Sequence, residues 1–285
     1  MEKLGSSFLG LSREDLSILG AIETGMRGHE WVPLQEISRR SGLGSKKAEY
    51  RLSILHEEGL VSRETLHYEG YRIDFSAYDL LALSDLVESG SVTGIGGRIG
   101  VGKESFVYAA DGRIPLAIKF HRQGRTSFRH VRRSRDLPRV PWLYAATLAA
   151  RHEFRVMQLL YPKVAIPRPV ALSRHALAME MLEGQQLNRV SLRDPLGCLQ
   201  RILGEVAGAW RLGIVHSDLS EFNIMITEDG PRIIDWPQAV KASHPRAMEL
   251  LERDLGNVLR FFSRRYRLDL PLERALQQTK EASLI

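Results

Sequence analysis

IVHSDLSEFNIMI, residues 214–226, followed by IIDWP at 233–237, is the stretch from which the fold is read. Asp218 lies two residues after His216, Asn223 five residues further on, and Asp235 twelve after that. The β-branched runs at 224–227 and 232–234, joined by Glu228, Asp229, Gly230 and Pro231, predict a β-hairpin. A loop carrying Asp218 and Asn223 enters this hairpin and its second strand delivers Asp235 at the exit, so three oxygen-bearing side chains converge. Such a set suits a hard divalent cation that keeps water and phosphate as its other ligands. Phosphoryl transfer needs it: Asn223 and Asp235 would hold the metal, and Asp218 would orient or deprotonate an acceptor. A turn rich in Asx caps, followed by a solvated aspartate, carries the same letters, and this stretch alone does not separate the two.

The remaining composition narrows the setting. The 285 residues suffice for one large domain or two small ones, with a formal net charge of +6 and a pI near 9.5. The charge is uneven: residues 1–90 hold ten Lys plus Arg against fifteen Asp plus Glu, a net of −5, leaving +11 for the rest. An anionic partner is therefore expected to meet the second part. One cysteine, Cys198, rules out an internal disulfide framework and fits a reducing compartment. No signal-peptide pattern and no apolar run of about 18 residues is present, which predicts a cytoplasmic protein without a membrane span.

In chain order, Ser12 and Asp15 announce a helix over 12–26 with Leu16, Leu19, Ile22 and Met26 at helical spacing. Helices follow at 34–40 and 46–58, the last stopped by Gly59, and then strands at 60–62 and 71–75 around a turn at Glu69 and Gly70. That order predicts a winged helix-turn-helix whose Lys46, Lys47 and Arg51 face a nucleic acid, or else a protein-docking module of the same shape. A further helix over 79–88 leads to Ser89 and Gly90, the expected boundary between a domain at 1–90 and another at 91–285.

VTGIGGRIGVGKESFVYAADG, residues 92–112, admits two motifs. Gly97, Gly102 and Lys103 match a P-loop, but Glu104 stands where a Ser or Thr is required and a strand follows instead of a helix. The better match sets Gly100, Gly102, Ser105 and Val107, with Lys103 in the turn, on a glycine-rich hairpin whose amides approach ATP phosphates. PLAIKF, residues 115–120, then places Lys119 on a third strand. A helix over 142–160 carries Glu153 among Ala149, Ala150, Phe154 and Met157, where it is expected to pair with Lys119. ALAMEML, 176–182, reads as the strand leading to a hinge between lobes at about 91–180 and 181–285, with Met179, Glu180 and Leu182 lining an adenine pocket. An exposed lysine, an exposed helix glutamate and a plain core strand are the ordinary alternatives for these three elements. Between Lys119 and the helix, residues 121–140 hold seven arginines (Arg122, Arg125, Arg129, Arg132, Arg133, Arg135 and Arg139) against Asp136 alone. Either this is a solvated loop, or it grips a polyanion, RNA first, with Phe128 stacking on a base and Ser127 and Ser134 as self-phosphorylation sites.

GVGKES, AIK, the helix glutamate, HSDLSEFN and IIDWP stand in the order of a protein kinase, and their form resembles the RIO family of atypical serine/threonine protein kinases. GKES, GRTSFRHVRRSRD at 124–136 and DWP carry that likeness, and the winged helix ahead of the kinase-like part resembles the second subfamily. The resemblance implies an α+β chain, a winged helix-turn-helix followed by a compact two-lobed kinase-like domain. It implies Asp218 as catalytic residue, and Asn223 and Asp235 as ligands of magnesium or manganese. ATP would be bound by Gly100, Gly102, Lys103, Ser105, Lys119, Glu153, Met179, Glu180 and Leu182. It also implies a role in maturing the small ribosomal subunit, with RNA met by the arginine-rich segment and the winged helix as candidate contacts. No long extension follows a helix expected over 246–266, which resembles the compact archaeal form, and the fifty residues after Asp235 hold no APE signature and too little chain for the usual activation segment and peptide-binding helices. Weak peptide phosphorylation and ATP hydrolysis are therefore also expected, and the resemblance implies an aspartyl-phosphate on Asp235. Two other classes share parts of the pattern, a small-molecule phosphotransferase and an RNA-binding adaptor without chemistry.

Overall fold

The computed structural model describes residues 3–65, 68–122 and 141–281. It contains two compact units, Met1–Ala150 with Ala171–Ala178, and Arg151–Val170 with Met179–Ile285.

In the first unit, α1 (Lys3–Gly10), an element the sequence spacing does not announce, precedes α2 (Arg13–Gly25). The predicted capping box starts α2: Asp15 N–H donates to Ser12 Oγ at 3.2 Å, and Ser12 N–H donates to Asp15 Oδ2 at 2.9 Å. Helix α3 (Leu34–Ser41) ends at Gly42, which takes the left-handed φ of 72° that favours glycine. After α4 (Ser45–Glu57) come the wing strands β2 (Val61–Glu64) and β3 (Gly70–Ile73), joined by an unpredicted third strand, β1 (Val32–Pro33), in the order β1-β3-β2. Ile18, Leu19, Ile22, Ile37, Leu52 and Leu55 are fully buried beneath the wing helices. Arg51 departs from expectation. Its guanidinium pairs with buried Asp15 and donates to Ser12 Oγ at 2.7 Å, while Lys47 pairs with Glu14 at 2.5 Å. The acidic first turn of α2 thus takes up two of the three cations expected to face a nucleic acid.

Helix α5 (Phe75–Glu88) starts four residues before the predicted Asp79, because the Asp74 carboxylate accepts from Ser76 N–H at 2.8 Å and Ala77 N–H at 3.4 Å. It is buried nearly all round, from Ala77 through Ser84 and at Leu86. Such a helix has no solvent face and must pack on two sides. One side joins the winged-helix core through Ala77, Tyr78, Leu80 and Leu81. The other carries Asp79 and Asp85 to the five-stranded sheet of β4 (Gly94–Val101), β5 (Ser105–Asp111), β6 (Leu116–His121), β7 (Pro169–Ser173) and β8 (Ala176–Glu180), ordered β4-β5-β6-β8-β7. Asp85 accepts from Ser173 Oγ at 2.6 Å and pairs with Arg174, which also grips Glu23 at 3.0 Å.

Asp79 accepts from His175 Nε2 at 2.7 Å and pairs with Arg122, whose guanidinium lies over Phe75 and Phe106 at 4.6 and 4.8 Å. Tyr78 stacks on the His175 ring at 4.3 Å. Burial pushes His175 down to about 4 from 6.5, against the pull of Asp79. The folded chain therefore keeps this imidazole neutral where the unfolded chain takes up a proton. Its stability contribution is present above about pH 6.5 and is lost as pH falls toward 4, by up to about 3 kcal/mol. Urea midpoints at pH 7 and 4.5 should show this loss, and His175→Gln should remove it; an equal pH response in both proteins would refute the burial argument.

Of the seven arginines counted between 121 and 140, Arg122 is thus buried and paired. Arg125, Arg129, Arg132, Arg133, Arg135 and Arg139, with Ser127, Phe128 and Ser134, lie outside the described residues.

The second unit takes the end of α6 (Pro141–Leu160), then β9 (Gly184–Gln186), α7 (Pro195–Arg211) and β10 (Ile214–Val215). The predicted hairpin follows as β11 (Ile224–Thr227) and β12 (Gly230–Ile233), pairing Ile224 with Ile233 and Thr227 with Gly230. β13 (Val240–Lys241) pairs with β10, and β9 adds to β11. Helices α8 (Ala247–Tyr266) and α9 (Leu272–Glu281) complete it. Leu199, Ile202, Leu255, Val258 and Phe262 form its buried helical interior. Among the described residues, no helix is long and apolar enough to cross a membrane.

Candidate active site

The loop between β10 and β11 alternates. Ser217 and Leu219 are buried and turned to α8, whereas Asp218 and Phe222 are exposed. Helix α8 causes this by reading the loop backbone. The Asp254 carboxylate accepts from Ser217 N–H at 2.6 Å and from Leu219 N–H at 3.0 Å. Asn257 Nδ2 donates to the Leu219 carbonyl at 3.0 Å, and Arg253 donates to the Ser217 carbonyl. Burial raises Asp254 to about 6, against the lowering effect of the two amide donors. Asp254 and Asn257 escaped the sequence reading. Their signal was two polar letters, three apart, in the otherwise apolar stripe of Leu251, Leu255, Val258 and Leu259.

His216 joins this loop to the strand that delivers Asp235. Its Nε2–H donates to the Ile234 carbonyl at 3.0 Å, while Nδ1 accepts from Asp218 N–H at 3.3 Å. With one nitrogen accepting from an amide, the ring is neutral, and its full burial lowers its pKa in the same sense. Asn223 Nδ2 donates to the Asp218 carbonyl at 2.9 Å, and the Asn223 carbonyl accepts from Ile234 N–H at 2.9 Å. Asp218, Asn223 and Asp235 are therefore brought together at the mouth of the hairpin, as the spacing predicted.

Asp235 itself has φ 70°, a conformation costly for a residue with a Cβ. The turn around it is held on several sides. Trp236 N–H donates to buried Glu153 Oε1 at 2.9 Å, Trp236 Nε1–H donates to the Ile233 carbonyl at 3.2 Å, and Ser217 Oγ–H donates to the Gln238 carbonyl. His152 adds a bond to the Ala239 carbonyl at 2.7 Å. Glu153 was expected as the partner of Lys119, a residue of the other unit. Within its own unit it fixes the turn after Asp235, a contact across 83 positions that no local pattern announces.

Met179 and Glu180 end β8, and Leu182 follows it, all three half-buried. Glu180 N–H donates to the Arg168 carbonyl at 2.9 Å, and its carboxylate accepts from Arg168 N–H at 3.0 Å. That main-chain donor is engaged within the protein.

In the first unit Gly100, Gly102, Lys103 and Ser105 lie on and between β4 and β5. Gly102 N–H donates to the Ser105 carbonyl at 2.8 Å, and a Cβ on Gly102 would meet Ser105 Oγ at 3.0 Å. Lys103 is exposed at the turn. Lys119, opposite Val107 on β6, is only 4% exposed. A strand follows the turn, as expected for a glycine hairpin and not for a P-loop.

Comparison with known proteins accords with these elements. The RIO domain family matches residues 106–275, and the N-terminal domain family of Rio2 matches 8–89. The RIO-type serine/threonine-protein kinase Rio2 of Methanocaldococcus jannaschii is 41% identical over 258 residues, covering 86% of this chain and 94% of that protein. The serine/threonine-protein kinase rio2 of Schizosaccharomyces pombe is 38% identical over 266 residues, covering 90% of this chain and 77% of its own length. The crystal structure of the Chaetomium thermophilum Rio2 kinase in an ADP/Mg2+-phosphoaspartate complex superimposes with a TM-score of 0.83 at 32% identity, over 95% of this chain and 88% of that one. With a RIO domain, a Rio2 N-terminal domain and relatives of this identity along most of its length, the chain belongs to the Rio2 branch of the RIO serine/threonine-protein kinases.

Proposed function

We propose that this chain transfers the γ-phosphoryl group of ATP, with magnesium or manganese, to serine or threonine hydroxyls and to water, and that it does so during maturation of the small ribosomal subunit. The observation that carries the first part is the hairpin mouth, where an exposed Asp218 stands beside Asn223 and Asp235. The donor set fits a hard cation. Asn223 must turn its amide nitrogen to the Asp218 carbonyl, which leaves Oδ1 for a metal, and Asp235 adds a carboxylate. Among the described residues no three His, Cys, Asp or Glu side chains gather as a metal cage, so phosphate and water would complete the shell. When bound, the metal neutralises charge on the phosphates. Asp218 accepts the proton of the acceptor hydroxyl as its oxygen bonds to the γ-phosphorus and the bond to ADP breaks. Gly100, Gly102, Lys103 and Ser105 offer the hairpin to the phosphates, Lys119 pairs with them, and Met179, Glu180 and Leu182 line the adenine pocket.

The phosphoaspartate of the Chaetomium thermophilum complex favours a second reading, in which an Asp235 oxygen takes the γ-phosphoryl group with loss of ADP and water then releases it. The ribosomal setting is supported by the Rio2 family and by the six arginines between 125 and 139, which would meet RNA, with the winged helix as a further contact. One experiment separates these parts: γ-labelled ATP with magnesium, following protein-bound label and free phosphate, with and without immature small subunits. Chelation should reduce both signals to background. Acid-stable label on Ser or Thr supports hydroxyl transfer, and hydroxylamine-sensitive label supports Asp235. Phosphate release indifferent to the immature subunits would remove the ribosomal partner.

A further inference from the structure

We propose that the arginine-bearing face of α8 beside the Asp218 loop is an acceptor-recognition surface that selects acidic protein segments. This rests on the phosphoryl-transfer reading of Asp218 and deepens it by naming the class of acceptor.

The helix that holds the loop also presents the charge. At 3.6 residues per turn, Arg253, Asn257, Arg260 and Arg264 fall within an arc of roughly 60°. The first two bind the loop backbone, and the next two continue the same face as exposed side chains. Arg264 is 74% exposed and touches the loop only through Glu221 at 3.9 Å, a distance at which an exposed pair holds little. Arg267 extends the row, exposed at the left-handed cap of α8. The segment at 190–192 packs against a different side of the same helix end. Leu192 N–H donates to Tyr266 Oη at 3.1 Å and Arg265 donates to the Val190 carbonyl at 3.2 Å, which ties 190–192 to the end of α8. At 3.6 residues per turn Arg265 and Tyr266 lie roughly 110° and 150° from the centre of the arginine row, so Arg189 and Arg193, both exposed, stand on another side of the helix end and are no part of the row. Asp194 caps α7 through Gly197 N–H at 2.9 Å, and Asp269 accepts from Ser263 Oγ at 2.6 Å; both keep their charge, but Arg253, Arg260, Arg264 and Arg267 outnumber Glu221 and Asp269 on this side. The face therefore carries a surplus of arginine that the protein does not neutralise.

Any hydroxyl that reaches Asp218 arrives beside this surplus. Glu221 is three residues beyond Asp218 in a loop of bends and turns, so the backbone beside Arg264 lies within about 10 Å of Asp218, the limit set by about 3.3 Å per residue. Carboxylates about three to six positions from the acceptor would meet Arg264, Arg260 and Arg267, whose guanidinium forks suit carboxylates. Arg260 to Arg267 spans roughly 10 Å of helix, room for two or three carboxylates rather than for a long phosphodiester track.

The test uses the full chain, Mg-ATP and three serine peptides that differ only in Glu, Gln or Lys at these positions, with anisotropy to follow binding and label to follow transfer. The Glu peptide should exceed the Gln peptide at least about tenfold in kcat/KM, and the double variant Arg260→Glu/Arg264→Glu should prefer the Lys peptide. A damaged fold would not reverse a preference. Charge-selective binding without Asp218-dependent transfer would keep this surface and sink the phosphoryl-transfer reading. Equal transfer to all three peptides, or no binding of the Glu peptide, overturns the proposal. So does loss of single-stranded RNA binding in the double variant with the peptide preference unchanged, which would make the face a nucleic-acid contact.

Discussion

Asp218→Ala is expected to lower phosphoryl transfer by about 10³-fold, within the 10² to 10⁴ typical of a positioned base, with little change in nucleotide affinity or stability. The split follows from how the residue is held. Its backbone is fixed, the N–H by His216 Nδ1 and the carbonyl by Asn223 Nδ2. Its carboxylate is exposed and makes no hydrogen bond or ion pair with the described residues. Removing it leaves no orphaned partner in the interior, so the loop and the hairpin mouth persist. The measurements are single-turnover label transfer, nucleotide titration and a melting curve on the same preparation. A variant that turns over like the wild type would take Asp218 out of its role. One that loses nucleotide binding in parallel would make it a binding residue instead.

The legible part of this site is local in sequence. HSDLSEFN, the β-branched runs and IIDWP lie within two dozen residues, and the hairpin pairing of Ile224 with Ile233 follows from turn chemistry and side-chain type. The capping box of Ser12 and Asp15 is equally local. What escaped depends on contacts between distant residues. Asp254 reaches Ser217 across 37 positions, and in the sequence it is one acid inside a helix already rich in charge. Arg51 reads as a surface cation on a recognition helix, yet the buried acid that claims it sits 36 residues earlier. Strand-forming letters at 71–75 ran past the true start of α5, because the Asp74 cap outweighs the β preference of the residue after it. Helix α9 was legible and passed over: Leu272, Ala275, Leu276 and Thr279 stand at i, i+3, i+4 and i+7, the inward stripe of a helix whose other positions are polar.

Asp254→Ala tests whether the presentation of Asp218 is built from α8. The Asp254 side chain is 1% exposed, and each of its oxygens serves one loop amide. Although burial raises it to about 6, it is ionised at pH 7.5, and both oxygens then accept. Alanine leaves Ser217 N–H and Leu219 N–H facing a dry gap. A buried group without its partner costs about 1–3 kcal/mol, so the two together cost about 4 kcal/mol. Part of that is expected as a lower melting temperature, by about 10 °C at 2–4 °C per kcal/mol. The rest is expected as a loop that no longer alternates, with Asp218 displaced and kcat reduced about 10²-fold at a temperature where the variant is still folded. Nucleotide affinity should hold, since none of the residues proposed to bind ATP contacts Asp254. Asp254→Asn separates the two effects. Its single carbonyl oxygen can serve one of the two amides and its NH₂ opposes the other, so kcat should lie between wild type and alanine. If both variants lose stability but keep full kcat, α8 only supports the fold and the loop orders itself; if kcat falls in step with the number of acceptors removed, the helix is what aims Asp218.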